Sequence, residues 1–141
     1  MRNDIIRCAL VICPVSCIEN WAREATDIIR KCSSSVNIIT LTSSIRPEKR
    51  KQLLLNGLLK RKKRACFVVA PYGFAGKFEN LTCFDRGGDK IEWDYVILDE
   101  GHNIKNSSTK ANKGCHKLCG TKTHRLLLTG TPIQNKLTEL W

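Results

Sequence analysis

Five short apolar runs, set between stretches of helical pattern, constrain this chain more than any other feature. They are Cys8–Cys13, stopped by Pro14; Val36–Leu41; Cys66–Ala70, stopped by Pro71; Tyr95–Leu98, ending at Asp99; and Arg125–Leu128, ending at Thr129. Apolar residues in these runs do not alternate with polar ones, which predicts strands buried on both faces. The intervening segments carry helical spacing. Ser16 stands three residues before Glu19, a capping-box pairing that opens a helix from about Cys17 to Lys31. Its apolar stripe is Ile18, Trp21, Ala22, Ala25, Ile28 and Ile29. Pro47 opens a second helix through Leu53, Leu54, Leu55, Leu58 and Leu59. Phe74 to Asn80 reads as a short helix, Leu81 to Lys90 as a surface loop holding Gly87-Gly88-Asp89, and Ser107 to Leu118 as containing a helix. A further helix starts at Ile133 and runs toward Trp141. Strands alternating with helices predict the α/β class, a parallel sheet with helices on both faces. A chain of 141 residues suits one such core. Ligands of these sheets bind beyond the carboxyl ends of the strands.

Charge narrows the partners. There are 24 Lys and Arg against 13 Asp and Glu, a formal net charge of +11. That balance favours a polyanion, nucleic acid first and an acidic membrane surface second. No apolar stretch approaches the ~20 residues of a membrane span, so no membrane partner is expected. The run Lys60-Arg61-Lys62-Lys63-Arg64 has three readings: a solvated helix end, a nuclear-import signal, or a patch for DNA phosphates. The chain has eight cysteines, and Cys8, Cys13 and Cys66 lie in or beside apolar runs, where free Cys acts as a small hydrophobe. Met1-Arg2-Asn3-Asp4 shows no secretory h-region, so a reducing compartment, nucleus or cytosol, is expected. Cys13-x3-Cys17 and Cys115-His116-x2-Cys119 lack the paired C-x2-C spacing of zinc sites and read as structural cysteine.

Two strand ends carry chemistry. Asp99-Glu100-Gly101-His102 follows a buried strand directly. Adjacent carboxylates there are costly without a cation nearby. Hydrated Mg2+ suits them, since it takes one or two carboxylates plus water and phosphate oxygens. Asp99 is then the metal residue, acting through water, and Glu100 orients the attacking water. An acidic pair alone would read as a solvated strand end; the ordered quartet after Val96-Ile97-Leu98 favours the metal. Thr129-Gly130-Thr131-Pro132 follows the next strand. Its hydroxyls could reach His102 from an adjacent strand and link nucleotide state to DNA contacts. Taken alone, the same four residues also read as an ordinary strand-to-helix turn.

Longer blocks carry a resemblance. Trp93 to Asn106, with Asp99-Glu100-Gly101-His102 at its centre, resembles motif II of the SWI/SNF-type helicase-like ATPases. Arg125 to Trp141, with Thr129-Gly130-Thr131-Pro132-Ile133-Gln134-Asn135, resembles their motif III. Leu10 to Trp21, with Pro14, Ser16 and Trp21, is similar to motif Ia, and Val68-Val69-Ala70-Pro71-Tyr72 occupies the place of motif Ib. Ser107-Ser108-Thr109-Lys110 looks most like the excision-repair 6-like branch, close to the Cockayne syndrome B proteins.

The resemblance implies that residues 1–141 form part of an N-terminal RecA-like (P-loop NTPase-type) lobe, which binds ATP with Mg2+ and tracks along double-stranded DNA in the nucleus. It implies catalytic roles for Asp99, Glu100 and His102, and coupling roles for Thr129, Gly130, Thr131 and Gln134. It also implies DNA-backbone contacts at Pro14, Ser16 and Tyr72. Backbone contact suits a motor that must step on any sequence. The lobe is expected to be incomplete. Motif I should precede the first strand, where only seven residues stand and none fits. Gly73-Phe74-Ala75-Gly76-Lys77 imitates a phosphate loop but has Pro71 in place of the first Gly and Phe78 in place of the hydroxyl. Asn103 replaces the basic residue expected after the His, and the second RecA-like lobe with its arginine finger lies outside these residues. Two other functions compete: a non-catalytic DNA- or protein-binding remnant of such a lobe, and a dinucleotide-binding oxidoreductase, which has this sheet type but needs a G-x-G-x-x-G turn not found here.

Overall fold

A computed structural model of the chain describes residues 7–32, 35–59, 64–84, 88 and 90–130. The five apolar runs form one parallel sheet: β1 (Cys8–Cys13), β2 (Val36–Thr40), β3 (Ala65–Pro71), β4 (Tyr95–Leu98) and β5 (His124–Leu127), in the order β2-β3-β1-β4-β5. The helices are α1 (Ile18–Lys31), α2 (Pro47–Leu59), α3 (Tyr72–Ala75) and α4 (Lys110–Leu118). The predicted helix from Ile133, Lys60–Lys63 of the basic run, and Thr131 and Gln134 lie outside the described residues.

Both faces of the sheet are covered over β1 and β3, as the unbroken apolar runs predict, whereas β5 departs from that expectation, with three of its four residues exposed. On one face Leu10, Ile12, Val68, Val96 and Leu98 pack with Leu54 and Leu58 of α2, Ala75 of α3, and Cys115 and Leu118 of α4. Each fully buried aliphatic side chain there contributes roughly 1.5–3 kcal/mol. On the other face Val11, Cys13 and Val69 meet Ile18 of α1, with Trp21, Phe67 and Ile97 against them. The α1 stripe is only partly covered: Ile18 is its one buried residue, and Ile28 is exposed. Among the described residues β5 forms an edge of the sheet, and His124, Arg125 and Leu126 are exposed.

Several local expectations are corrected. Ser16 caps no helix. A 3-10 turn, Val15–Cys17, intervenes, closed by the Cys17 amide on the Pro14 carbonyl (2.9 Å), so the cap position falls to Cys17. The helix expected at Phe74–Asn80 is split into α3 and a 3-10 turn, Phe78–Leu81, because Lys77, at φ −115° and ψ 77°, leaves helical geometry between them. The surface loop is buried at its start: Leu81, Thr82 and Cys83 are in the core, and the Trp93 indole donates to the Leu81 carbonyl (3.2 Å).

The α3–α4 contact is close enough to demand glycine. A Cβ on Gly114 would run into the Ala75 carbonyl, and backbone cannot swing aside. Gly114→Ala is therefore expected to destabilise the fold by about 1–3 kcal/mol in urea unfolding. Gly73→Ala is the control: nothing lies within 4 Å of its Cβ position, so no comparable loss should occur.

Candidate functional site

The strand registers bring the predicted residues to one end of the sheet. Cys13 is level with Pro71, Ile12 with Leu98, and Leu98 with Leu127. The chain therefore leaves β1, β3, β4 and β5 side by side, at Pro14, Tyr72, Asp99 and Leu128. The three segments that resemble motifs Ia, Ib and II emerge on neighbouring strands, and motif III on the next. Pro14 is half-buried, and Val15 and Ser16 in the turn after it are exposed.

Asp99 is held at three points. Its amide donates to the Ile12 carbonyl (2.9 Å). Its carbonyl accepts from the Tyr72 hydroxyl (2.7 Å), and its Oδ2 accepts from the Trp21 indole Nε1–H (2.8 Å). Burial, then the thiol of Cys115 and the charge of Asp99, push the Tyr72 hydroxyl above its ordinary range, so it stays a donor. Burial likewise pushes the Cys13 thiol up to about 12, with Cys17 and Asp99 adding to it, and the Cys115 thiol to about 12. These thiols are inert spacers at neutral pH.

Glu100 sits at φ 54° and ψ 52°, and is the one non-glycine residue with positive φ among the described residues. This turn carries its carboxylate out of the strand line. One oxygen lies 3.2 Å from His102 Nδ1, and the other faces Gly130, 3.8 Å from where a Cβ would stand. The Gly101 amide donates to the Leu128 carbonyl (2.9 Å), and the Leu128 amide to the Leu98 carbonyl (2.8 Å), which ties the two motif ends together. A Cβ on Gly101 would run into the Leu127 side chain, which would have to turn aside to admit it. Beyond it a 3-10 turn, Gly101–Ile104, buries Ile104, whose carbonyl accepts from Asn112 Nδ2 (2.8 Å). Thr109 then caps α4 by accepting from the Asn112 amide (3.2 Å).

So the structure gathers Asp99, Glu100, His102, Thr129 and Gly130 at the ends of adjacent strands, with Pro14, Ser16 and Tyr72 beside them. The observed partner of His102 is Glu100. Tyr72 has its hydroxyl turned to the Asp99 backbone. Sequence reasoning missed Trp21 as a member of the site. A half-buried indole needs an acceptor, and that requirement was the available signal. Two adjacent carboxylates, with Asp99 Oδ1 taking no hydrogen bond from a described residue, suit a hydrated Mg2+. Gly73–Lys77 forms α3 and the turn after it, packed against α4 at Gly76, and is not a loop of convergent amides.

The left-handed Glu100 gives a stability test. Such a conformation costs a non-glycine residue roughly 1–2 kcal/mol. Glu100→Gly is expected to raise the unfolding free energy by about 1 kcal/mol, and Glu100→Ala, which keeps a Cβ, should show no such gain. Equal urea midpoints for the two variants would show that Glu100 is not strained.

A family model described as the SNF2-related domain matches residues 2–141. The chain is 34% identical to the DNA excision repair protein ERCC-6-like of Danio rerio, over 94% of this chain and 8% of that protein. It is 31% identical to the DNA excision repair protein CSB of Oryza sativa subsp. japonica, over 99% of this chain and 13% of that protein. It is 35% identical to the ISWI chromatin-remodeling complex ATPase ISW1 of Saccharomyces cerevisiae, over 94% of this chain and 10% of that protein. The relatives thus include the excision-repair branch expected from Ser107–Lys110, and the chain spans about a tenth of their length.

Proposed function

The chain belongs to the SNF2-related domain family, and on that premise we propose that it is part of the first lobe of an ATP-driven, DNA-translocating ATPase of the nucleus. The observation that carries this reading is the meeting of Asp99-Glu100 with Thr129-Gly130 at the ends of β4 and β5, joined by the Gly101–Leu128 hydrogen bond. In this reading Asp99 would hold Mg2+ through water, and the bound ion would supply positive charge to the phosphates of ATP. Glu100 orients the attacking water from its left-handed turn. His102 positions the Glu100 carboxylate through Nδ1. Thr129 and Gly130, with Thr131 and Gln134 beyond them, couple that end of the sheet to the rest of the motor. The exposed turn at Pro14–Ser16 meets the backbone of duplex DNA, with Tyr72 at its flank, and the excess of positive charge supports that partner. Turnover requires a phosphate loop and a second RecA-like lobe joined to these residues. The test is DNA-stimulated ATP hydrolysis, measured on the 141 residues alone and on residues 2–141 grafted in place of the matching segment of the yeast ATPase relative, each beside Glu100→Gln.

A further inference from the structure

Among the described residues, the Trp21 indole is the one side chain that grips the Asp99 carboxylate, and it comes from α1, 78 residues away in sequence. Its ring has a second contact besides that bond: Trp21 packs on the α1 face of the sheet with its centroid 6.5 Å from that of Phe67, on β3. The indole N–H has a single direction, and it points at Oδ2. The Tyr72 hydroxyl holds the same residue by its carbonyl, and β1 holds its amide.

We infer that Trp21 is a positioning residue for the metal, locking Oδ2 so that Asp99 offers a single oxygen, Oδ1, in a fixed direction. This rests on the proposal that Asp99 binds the cation. A carboxylate at a strand end otherwise rotates freely about its last bond and can take a cation with either oxygen or both. A hydrogen bond from a neutral donor orients the ligand without cancelling its charge, as outer partners of metal ligands do. α1 begins directly after the 3-10 turn Val15–Cys17, whose Val15 and Ser16 are exposed, so the residue that orients Asp99 is borne on the same short segment as the proposed DNA contact.

The test uses Mn2+ alone as the probe on the 15N-labelled chain. Mn2+ is expected to broaden the amide signals of Asp99–Gly101 and the Trp21 indole signal well before the indole of Trp93, which is buried on the Leu81 carbonyl. Trp21→Phe keeps a ring against Phe67 and removes the donor. It is expected to weaken Mn2+ affinity at those amides about tenfold, the low end for loss of an outer partner. A merely structural Trp21 would lower stability and leave the affinity of the folded protein alone. Equal affinities in the two proteins overturn the role given to Trp21 and leave the metal reading of Asp99 standing. No broadening at Asp99–Gly101 in the unaltered chain overturns both. Should Trp21→Phe fail to fold, Asp99→Ala reads the same bond from its other end: the Trp21 indole signal should move upfield and exchange faster while that of Trp93 holds, and an unmoved Trp21 signal overturns the inference.

Discussion

The 141 residues alone are expected to hydrolyse no more ATP in the presence of duplex DNA than their own Glu100→Gln variant, while the graft into the yeast relative is expected to turn over. Phosphoryl transfer is a matter of holding the phosphates in line and neutralising their charge. Asp99 and Glu100 supply the metal and water half of that task. The amide cradle is missing, for no G-x4-G-K-[ST] run occurs in the sequence and Gly73–Lys77 is spent on α3 and its turn. An arginine finger from a second lobe is alone worth about 10³–10⁵ in rate. In the graft, Glu100→Gln should lower turnover by at least about 10²-fold, the lower end for a group that handles the attacking water's proton. Turnover by the isolated chain above its control would mean that some loop here does hold phosphate. A graft that folds and binds DNA yet never hydrolyses ATP would sink the translocase proposal in favour of a non-catalytic DNA-binding role.

The second large effect is in salt. Binding of the isolated chain to duplex DNA is expected to weaken by about a thousandfold between 50 and 200 mM salt if about six phosphates are neutralised. The formal charge of +11 comes from residues spread over the chain and does not depend on the nucleotide site. Affinity should therefore be the same for unrelated duplexes of one length and unchanged by Glu100→Gln. Fluorescence anisotropy across that salt range measures both. A flat salt dependence, or a strong preference for one sequence, would remove backbone phosphate as the target.

The strands were legible because their message is redundant: an apolar run of four to six residues, closed by Pro or Asp in three of the five cases, has few other homes. Their bounds slipped by a residue where that redundancy ends. Leu41 remains in the core, its amide on the Val69 carbonyl (2.8 Å), although β2 closes at Thr40. Sheet order could not be read from periodicity, since placing β1 between β3 and β4 is decided by long-range pairing. Helix starts were legible at Pro47, where φ is fixed by the ring, and misread at Ser16, where a 3-10 turn competes for the same amides. In the site, residues contiguous in one motif were foreseen together. The bonds that Trp21 and Tyr72 make to Asp99 span 78 and 27 residues, and no local pattern encodes a contact of that kind.

β5 lies at the rim of the sheet, paired with β4 among the described residues, with Leu126 standing out toward solvent beside His124 and Arg125. A rim strand offers a ladder of backbone donors and acceptors to whatever chain arrives next, including another copy of itself. The charge on Arg125 discourages such stacking, and it does so less as salt rises. Purification in high salt, chosen to strip nucleic acid from so basic a protein, therefore works against solubility. Protein concentration becomes a variable to be controlled in every measurement on these residues.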